Sequence, residues 1–353
     1  MKRRILSVLL CAAMVSALVM GCGSKKEEKA SDEDSAKGGT VEIVAKGFQH
    51  DFWKAVNKGA EEAGKEFGVE VNFVGPKDES AVAEQVEQLN NAINKKPSAI
   101  CLAALDPDSV KSALDTAQSS EIPVIGFDSG VPGSKVIAAN ASTDNYAAGE
   151  LAAEKMYELI KDKVTDPADT VRIGVVAQDA VSQSIGDRTA GFIDKMVKLI
   201  GEDKASVEGH DKYNKKVDGA KVIVEVGIPA TVEDAACVTV ANTLLNKNDL
   251  VAIYGSNEFS AKNLVTANES LNKLGADKVI GVGFDAGKIQ LDAIRSGVLA
   301  GSITQNPVQI GYKAVELAVK ASKGEKVSDV DTGCLWYTAD NMEDKEIAPC
   351  LYE

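Results

Sequence analysis

From residue 40 onward, short apolar runs rich in β-branched residues alternate with longer segments of helical periodicity. Strands are predicted over residues 41–47, 69–75, 98–105, 122–128, 135–140, 171–178, 221–227, 250–257, 278–285 and 299–305. Helices are predicted between most of them, among them 53–67, 82–94, 144–160 and 258–274. Near-continuous apolar strands separated by helices are typical of parallel sheets covered on both faces. Ten such strands exceed what one compact sheet of this type usually carries, so the pattern predicts two α/β lobes.

Several of these strand-like runs end in a polar side chain: Lys46, Asp128, Gln178, Asn257, Asp285 and Gln305. In open parallel sheets, ligands bind beyond the carboxyl ends of the strands. Polar strand ends in both halves of the chain therefore predict one cleft shared by the two lobes. The alternative for any single position is a turn or a helix N-cap, which Asp and Asn often form.

The first 39 residues differ in character from the rest of the chain. The basic residues 2–4 precede an apolar run over 5–20, which is shorter than the roughly 20 residues that span a bilayer comfortably. This arrangement predicts a secretion signal over residues 1–21. Residues 22–39 are small and polar without apolar periodicity, which predicts a solvated, flexible tether.

The stretch LVMGC, residues 18–22, resembles a bacterial lipobox. The resemblance implies that Cys22 becomes the first residue of the mature chain and is acylated, so that the lipid anchors the protein to the cell membrane. The alternative is an ordinary signal peptide that is cleaved nearby. In either case we expect the mature chain outside the cytoplasm, at the periplasmic face or on the cell surface.

Composition narrows the functional classes. The chain has 353 residues, 26% of them charged, and a mean hydropathy of −0.09, which excludes a polytopic membrane protein and a disordered one. Its net charge of −14 argues against a nucleic-acid partner, because no basic surplus is present to neutralise phosphates. Two histidines cannot build a histidine-rich metal centre, and no phosphate-binding loop or HExxH motif is present. We therefore expect no metal and no cofactor.

The six cysteines divide between export and fold. Cys11 lies in the predicted signal and Cys22 in the lipobox, which leaves Cys101, Cys237, Cys334 and Cys350. An even number in an oxidising compartment permits disulfides, with three full pairings. Cys334 and Cys350 are close in sequence and are the expected pair. Cys101 lies in an apolar run and is expected to be a buried free thiol.

Several motifs, in this order and spacing, resemble the type I periplasmic solute-binding proteins of ABC sugar importers, in the ribose and galactose class. They are KGFQHDFWKAV (46–56), IPVIGFDSG (122–130), ASTDNYAAGELAA (141–153), GDRTAGF (186–192), YGSNEFSA (254–261), VIGVGFDAG (279–287) and SITQNPVQIG (302–311). The resemblance covers about residues 41–330. It implies an α/β fold of two Rossmann-like lobes with parallel sheets, joined by a three-strand hinge. The first lobe would comprise 40–142 and 306–332, and the second 143–305 and 333–353.

The same resemblance implies which side chains bind the ligand. They are Lys46, His50, Phe52, Trp53 and Asp128 from the first lobe, Arg188, Asn257 and Asp285 from the second, and Gln305 at the hinge. Aromatic rings suit the apolar faces of a sugar, and its hydroxyls suit carboxylates, amides and a guanidinium. His50 stands where Asn is common, Ser129 where Arg is common, and Lys46 where a neutral residue is usual. These departures argue against ribose itself but not against another sugar or polyol.

Three functional classes compete. A sugar-responsive repressor shares this fold but would carry a basic helix-turn-helix in place of the export signal. A glycosidase would need two catalytic carboxylates, for which Asp128 and Asp285 could be proposed, but no catalytic motif supports hydrolysis. We therefore expect a monomeric, non-enzymatic lipoprotein that binds a monosaccharide or polyol by hinge closure and delivers it to an ABC permease. The alternative is a sensor or chemoreceptor-type binding protein for a furanosyl signal molecule, inositol or a nucleoside.

Overall fold

A computed structural model describes residues 38–48 and 50–353 of the chain. The predicted signal peptide, the lipobox with Cys22 and nearly all of the predicted tether lie outside the described residues. Within the described ranges, no helix combines the length and the apolar character needed to cross a membrane.

Thirteen strands are found in the described part of the chain. They are β1 (Thr40–Val44), β2 (Glu70–Val74), β3 (Ala99–Leu102), β4 (Val124–Phe127), β5 (Ile137–Ser142), β6 (Val171–Val176), β7 (Ala205–Glu208), β8 (Val222–Gly227), β9 (Leu250–Gly255), β10 (Ile280–Phe284), β11 (Gly301–Gln305), β12 (Val330–Asp331) and β13 (Cys334–Tyr337). They form two sheets, in the orders β12-β5-β4-β3-β1-β2 and β13-β11-β10-β9-β6-β8-β7. Every pairing is parallel except that of β13 with β11. The prediction of two α/β lobes is confirmed.

The helices lie between these strands. They are α1 (Asp51–Phe67), α2 (Val82–Asn94), α3 (Lys111–Ser119), α4 (Asn145–Val164), α5 (Gln183–Ile200), α6 (Asp234–Leu245), α7 (Glu258–Leu271), α8 (Lys288–Arg295) and α9 (Pro307–Ser322), followed by a 3-10 turn at Ala348–Cys350. Local sequence sets their ends: α1 ends at Gly68, which takes a left-handed conformation, and α9 begins with Pro307 after the capping side chain of Asn306. Both are common helix-terminal residues.

Helices cover both faces of each sheet. In the first lobe α1 and α9 cover one face and α2 and α3 the other. In the second lobe α4 and α5 cover one face, and α6, α7 and α8 the other. Neighbouring strand residues enter opposite cores, as Ile43 and Val44 do in β1. Because both faces of the sheets are buried, the strands are near-continuous apolar runs rather than alternating ones.

The ten strands predicted from the sequence are all present, and three further strands were missed. Most of the predicted strands end earlier than expected because the polar residue at the end lies just beyond the ladder, as Asp128 does after β4 and Asp285 after β10. In contrast, β8 and β11 end where predicted and β5 ends two residues later. The missed strands β7, β12 and β13 are two to four residues long and lie at sheet edges. Such short segments leave little periodicity to detect.

The chain passes between the two sheets three times: from β5 to α4, from β11 to α9, and from β12 to β13. These passages join the sheet edges formed by β5 and β12 in the first lobe and by β11 and β13 in the second. The strands β2 and β7 form the opposite edges, furthest from the passages. An opening motion about the passages would therefore separate the lobes most near β2 and β7.

The disulfide expected between Cys334 and Cys350 is absent, since both residues are free thiols in the structure. Side chains along β13 alternate between faces, and Cys334 packs on the face covered by α4 and α5. The segment that carries Cys350 packs on the other face, through Ile347 and Leu351. The two cysteines are thus separated by the sheet. Cys101 is a buried free thiol, as expected.

Glycine permits a close approach of α1 and α9. A Cβ on Gly311 of α9 would lie 1.9 Å from the carbonyl oxygen of Val56 in α1, and a Cβ on Gly59 would lie 1.9 Å from that of Val308. Both distances are far below any contact distance between nonbonded heavy atoms. The helices pack backbone against backbone at this crossing.

We expect Gly311→Ala to lower the free energy of unfolding by roughly 1–3 kcal/mol, because the added methyl forces α9 away from α1. Urea denaturation of the two proteins measures the difference. Gly186→Ala is the matched control, since its Cβ would meet only the flexible ammonium of Lys212 at 2.9 Å. Alanine there is expected to be neutral or to stabilise by up to about 1 kcal/mol. Equal effects of the two substitutions would contradict the close helix crossing.

Candidate functional site

All nine residues predicted to bind the ligand line one cavity between the lobes. The cavity holds about 330 Å³ of empty space, its mouth included, and its lining comprises Lys46, His50, Phe52, Trp53, Glu79, Asp128, Ser184, Ile185, Arg188, Asn257, Glu258, Asp285 and Gln305. The sixth polar strand end, Gln178, is fully buried beside the cavity and accepts a hydrogen bond from Asn257 Nδ2 at 2.7 Å.

Two strand ends supply carboxylates through the same backbone conformation. Asp128 follows β4 and Asp285 follows β10, and both have positive φ, at 54° and 69°. The amide of Asp128 donates to Ala141 O at 3.1 Å and that of Asp285 to Ile303 O at 2.6 Å. Non-glycine residues rarely adopt this conformation, although Asp tolerates it better than most. Each lobe therefore contributes one carboxylate to the cavity from a left-handed turn at the end of a strand.

A buried carboxylate organises the wall of the first lobe. Glu79 accepts from Trp53 Nε1 at 2.9 Å, and its Oε2 lies 3.2 Å from Lys46 Nζ. Burial alone would raise the pKa of Glu79, but the charges of Lys46 and His50 and the hydrogen bonds from Gln178 and Trp53 lower it to about 2. Burial likewise opposes the charge of Lys46, yet Glu79, Asp128 and Asp179 raise its pKa above the usual 10.5. Lys46 and Glu79 thus form a charged pair at neutral pH.

Arg188 organises the wall of the second lobe. Its guanidinium lies 3.5 Å above the ring of Phe284, donates from Nε and Nη2 to Asn145 Oδ1 at 3.2 and 2.6 Å, and donates from Nη1 to Ser256 O at 2.8 Å. Asp285 Oδ2 lies 3.8 Å from Nη1. These contacts use three of the five N–H groups of a guanidinium. Two N–H groups remain for a ligand.

Gln305 connects the hinge to this wall. Its Nε2 donates to Asp285 Oδ1 at 2.6 Å. Its Oε1 is buried and has no hydrogen-bond partner among the described residues. A buried acceptor without a partner is costly, so Gln305 Oε1 can accept a hydrogen bond from a ligand in the cavity.

His50 faces the second lobe across the cavity. Its Nδ1 lies 3.7 Å from Glu258 Oε1. Burial lowers the pKa of His50, but the hydrogen bond with Glu258 and the negative charge of Glu79 outweigh it, so the pKa is raised above 6.5. Glu258 is held in turn by the hydroxyl of Tyr352, which donates to Oε2 at 3.2 Å.

The aromatic residues serve both the core and the cavity. Phe52 and Trp53 pack edge to face with ring centroids 5.0 Å apart and belong to the core formed by α1 and α9. Both also line the cavity. The position of Trp53 is therefore compatible with both core packing and ligand stacking.

Sequence reasoning missed four of the lining residues: Glu79, Ser184, Ile185 and Glu258. Ser184 and Ile185 precede Arg188 by one helical turn on α5 and could have been found from that spacing. Glu258 directly follows Asn257. Glu79 lies in the loop after β2, where nothing in the pattern marks it. Among the described residues, no group of three or more His, Cys, Asp or Glu is placed to hold a metal ion.

Asp128 is the least compensated of the cavity carboxylates. Its side chain has no hydrogen bond to any described residue, and the residue is only 5% exposed. Burial raises its pKa to about 6, against the opposing charges of Lys46 and Arg188. The folded protein therefore holds a proton on Asp128 more tightly than the unfolded chain does.

We expect Asp128→Asn to stabilise the ligand-free protein by about 2–3 kcal/mol at pH 8, because it removes a buried charge whose pKa is raised by roughly two units. Between pH 4 and 6 the unfolded chain is ionised at this position and the folded protein is not, so the stability of the wild type falls as the pH rises. The increase in the free energy of unfolding that Asp128→Asn produces should therefore become smaller as the pH falls from 6 toward 4. Urea denaturation across this pH range measures it.

The exposed Asp115 on α3 supplies the control, since Asp115→Asn is expected to change the stability little at any pH. A wild-type protein that is as stable as Asp128→Asn at pH 8 would contradict a buried, destabilising charge at Asp128.

Comparison with known proteins identifies the family. Residues 41–326 match the family model of the periplasmic binding protein domain. The chain is 25% identical to the ribose import binding protein RbsB of Haemophilus influenzae, over 89% of this chain and 94% of that protein. A solved structure described as an ABC transporter, LacI family transcriptional regulator, from Brachyspira murdochii is 37% identical and superposes with a TM-score of 0.75, covering 89% of this chain and 98% of that one.

An ABC transporter solute binding protein from Agrobacterium vitis, solved with bound D-fucose, is 31% identical and also has a TM-score of 0.75, covering 89% of this chain and all of that one. The family match extends over most of the described residues and confirms the resemblance seen in the sequence motifs. The chain belongs to the periplasmic binding protein family.

Proposed function

We propose that this protein binds a monosaccharide or a related polyol in the cavity between its lobes and serves as the substrate-binding component of an ABC importer. The observation that carries the proposal is the set of unused polar groups in the cavity. Oε1 of Gln305 is buried without a hydrogen-bond partner among the described residues. The carboxylate of Asp128 makes no hydrogen bond to a described residue, and the hydrogen bonds of Arg188 use three of its five N–H groups. Each hydroxyl of a polyol both donates and accepts, so a small polyol can satisfy acceptors and donors together.

The other walls suit the same ligand. Phe52 and Trp53 offer aromatic surface to the apolar C–H faces of a sugar ring. The cavity is small and buried, which strengthens hydrogen bonds to charged groups. The relatives point the same way, since one is named for ribose import and one was solved with D-fucose. Neither name fixes the sugar for this chain, whose Lys46 and His50 depart from the ribose-type pattern.

The distribution of these groups over both lobes supports a hinge mechanism. Asp128 extends from the first lobe, and Arg188 and Asp285 from the second. A ligand that contacts both lobes has its full set of hydrogen bonds only in the closed form, so it shifts the population toward that form. The closed form would then deliver the ligand to a membrane permease.

The cellular setting of the proposal comes from the N-terminal residues. An export signal over residues 1–21 and acylation of Cys22 would place the folded part outside the cytoplasm on a lipid anchor. The tether over 22–39 would allow the folded part to reach the permease. We propose that the protein acts as a monomer.

A thermal-shift screen against pentoses, hexoses, polyols and nucleosides should find at least one ligand that raises the melting temperature, because a ligand that binds only the folded state stabilises it. Calorimetry on that ligand should give micromolar or tighter affinity, or about 8 kcal/mol of binding free energy. A screen in which nucleosides alone bind would overturn the sugar proposal in favour of the nucleoside alternative. Turnover of a sugar to product would overturn a purely binding role.

We expect Asp128→Asn and Arg188→Ala each to weaken binding of that ligand by roughly tenfold or more, because each removes a charged hydrogen bond worth about 1.5–3 kcal/mol. Calorimetry measures the change. Asp128→Asn is the sharper test, since it is expected to stabilise the fold and cannot lose affinity through unfolding. Asp115→Asn and Arg295→Ala, at exposed positions outside the cavity, serve as matched controls. Wild-type affinity in both cavity variants would contradict the site.

A further inference from the structure

Glu79 links the two lobes by a direct hydrogen bond between protein side chains. Its Oε1 accepts from Trp53 Nε1 at 2.9 Å within the first lobe. Its Oε2 lies 3.2 Å from Lys46 Nζ, also in the first lobe, and accepts from Gln178 Nε2 of the second lobe at 2.9 Å. Glu79 is 7% exposed and Gln178 is fully buried. One carboxylate thus holds two cavity side chains of its own lobe and one side chain of the other.

Gln178 and Lys46, the partners of Glu79, make further hydrogen bonds with residues of the second lobe. Gln178 accepts from Asn257 Nδ2 at 2.7 Å, which extends the chain of hydrogen bonds into the wall of the second lobe. Lys46 Nζ donates across the cleft to Ser182 Oγ at 3.2 Å. Ser182 Oγ in turn lies 3.3 Å from Ser129 Oγ of the first lobe. The three contacts that join the lobes here are direct protein contacts, and two of them are charge-assisted and stronger than neutral ones.

The Glu79–Gln178 hydrogen bond lies far from the passages that connect the two lobes. Glu79 follows β2, the edge strand of the first sheet, and Gln178 follows β6, in the half of the second sheet away from β13. The three passages between the lobes lie at the opposite sheet edges. Opening about those passages moves the β2 edge furthest, so the Glu79–Gln178 bond must break when the lobes separate. A bond placed there resists opening more effectively than one near the hinge.

We propose that Glu79 is a positioning residue that fastens the two lobes together before a ligand binds, and at the same time holds Lys46 and Trp53 in place on the cavity wall. Ligand-free molecules are then partly closed already. A ligand that binds the closed form gains affinity in proportion to that preformed fraction. The carboxylate is suited to this role because its pKa, lowered to about 2 by Lys46 and its hydrogen bonds against the effect of burial, keeps it charged. The inference goes beyond the proposed function, since it concerns the ligand-free protein and holds whatever the ligand is.

Glu79→Gln tests the inference with little change of shape. Glutamine replaces one carboxylate oxygen by an NH₂ donor, so it loses the acceptor that faces either Trp53 or Gln178, and it has no charge to pair with Lys46. Spin labels at Lys77→Cys and Lys216→Cys report on closure, because the two side chains are 75% and 89% exposed and follow the edge strands β2 and β7. Pulsed electron paramagnetic resonance then gives the distribution of interlobe distances without ligand.

The ligand-free wild type should show a substantial short-distance population that matches the interlobe distance in this structure, in which the Glu79–Gln178 bond is formed. Glu79→Gln should shift most of that population to longer distances, and Gln178→Met, which removes the same bond from the other lobe, should do the same. The matched control is Glu42→Gln, since Glu42 is also a buried carboxylate that pairs with a lysine and an amide, Lys95 and Asn72, but entirely within the first lobe. It should leave the distances unchanged.

A ligand-free wild type that is wholly open would overturn the inference. So would an unchanged distance distribution in both Glu79→Gln and Gln178→Met. These outcomes require no ligand, so they remain decisive even if the sugar screen fails. If a ligand is in hand, Glu79→Gln should weaken its apparent affinity by at least the factor by which the ligand-free closed fraction falls, because the substitution also releases Lys46 and Trp53.

Discussion

Charge compensation in a buried cavity is the constraint on which the rest of this structure depends. Ionised side chains lose hydration when the lobes meet, and each must recover that loss from a partner. Lys46 pairs with Glu79 and His50 with Glu258, and Arg188 lies beside Asp285 and over the ring of Phe284. These pairings hold the side chains in fixed positions, and they leave Gln305 Oε1 on the cavity wall without a hydrogen-bond partner among the described residues.

The fold meets this constraint with two parallel sheets whose carboxyl ends face a common cavity. Apolar strands bury both faces of each sheet and stop at the cavity, where polar residues begin. At two of these ends the backbone takes the left-handed conformation and presents a carboxylate, Asp128 from one lobe and Asp285 from the other. The buried charge of Asp128 makes the fold less stable at neutral pH than a neutral residue there would. Binding sites commonly lower the stability of the fold that carries them in this way.

Much of this was accessible from the sequence. Strand ends are marked by the change from apolar to polar residues, so six positions on the cavity wall or beside it were found by pattern alone. Resemblance to a known family added His50, Phe52, Trp53 and Arg188. The cross-lobe role of Glu79 could not be found in this way, because its partners Trp53 and Gln178 are 26 and 99 residues away and no periodicity relates them. The predicted disulfide was wrong for a similar reason. Cys334 lies on β13, a strand that the sequence pattern did not reveal, and closeness in sequence does not show on which face of a sheet a side chain lies.

The most direct test is a crystal structure with the tightest-binding sugar from the screen. The sugar ring should lie between the lobes, with hydroxyl oxygens at about 2.6–3.2 Å from the Asp128 carboxylate and the free N–H groups of Arg188. Gln305 Oε1 should accept a hydroxyl of the same molecule. A sugar bound elsewhere, with the groups of Asp128, Arg188 and Gln305 still unpaired, would contradict the assignment of this cavity as the binding site.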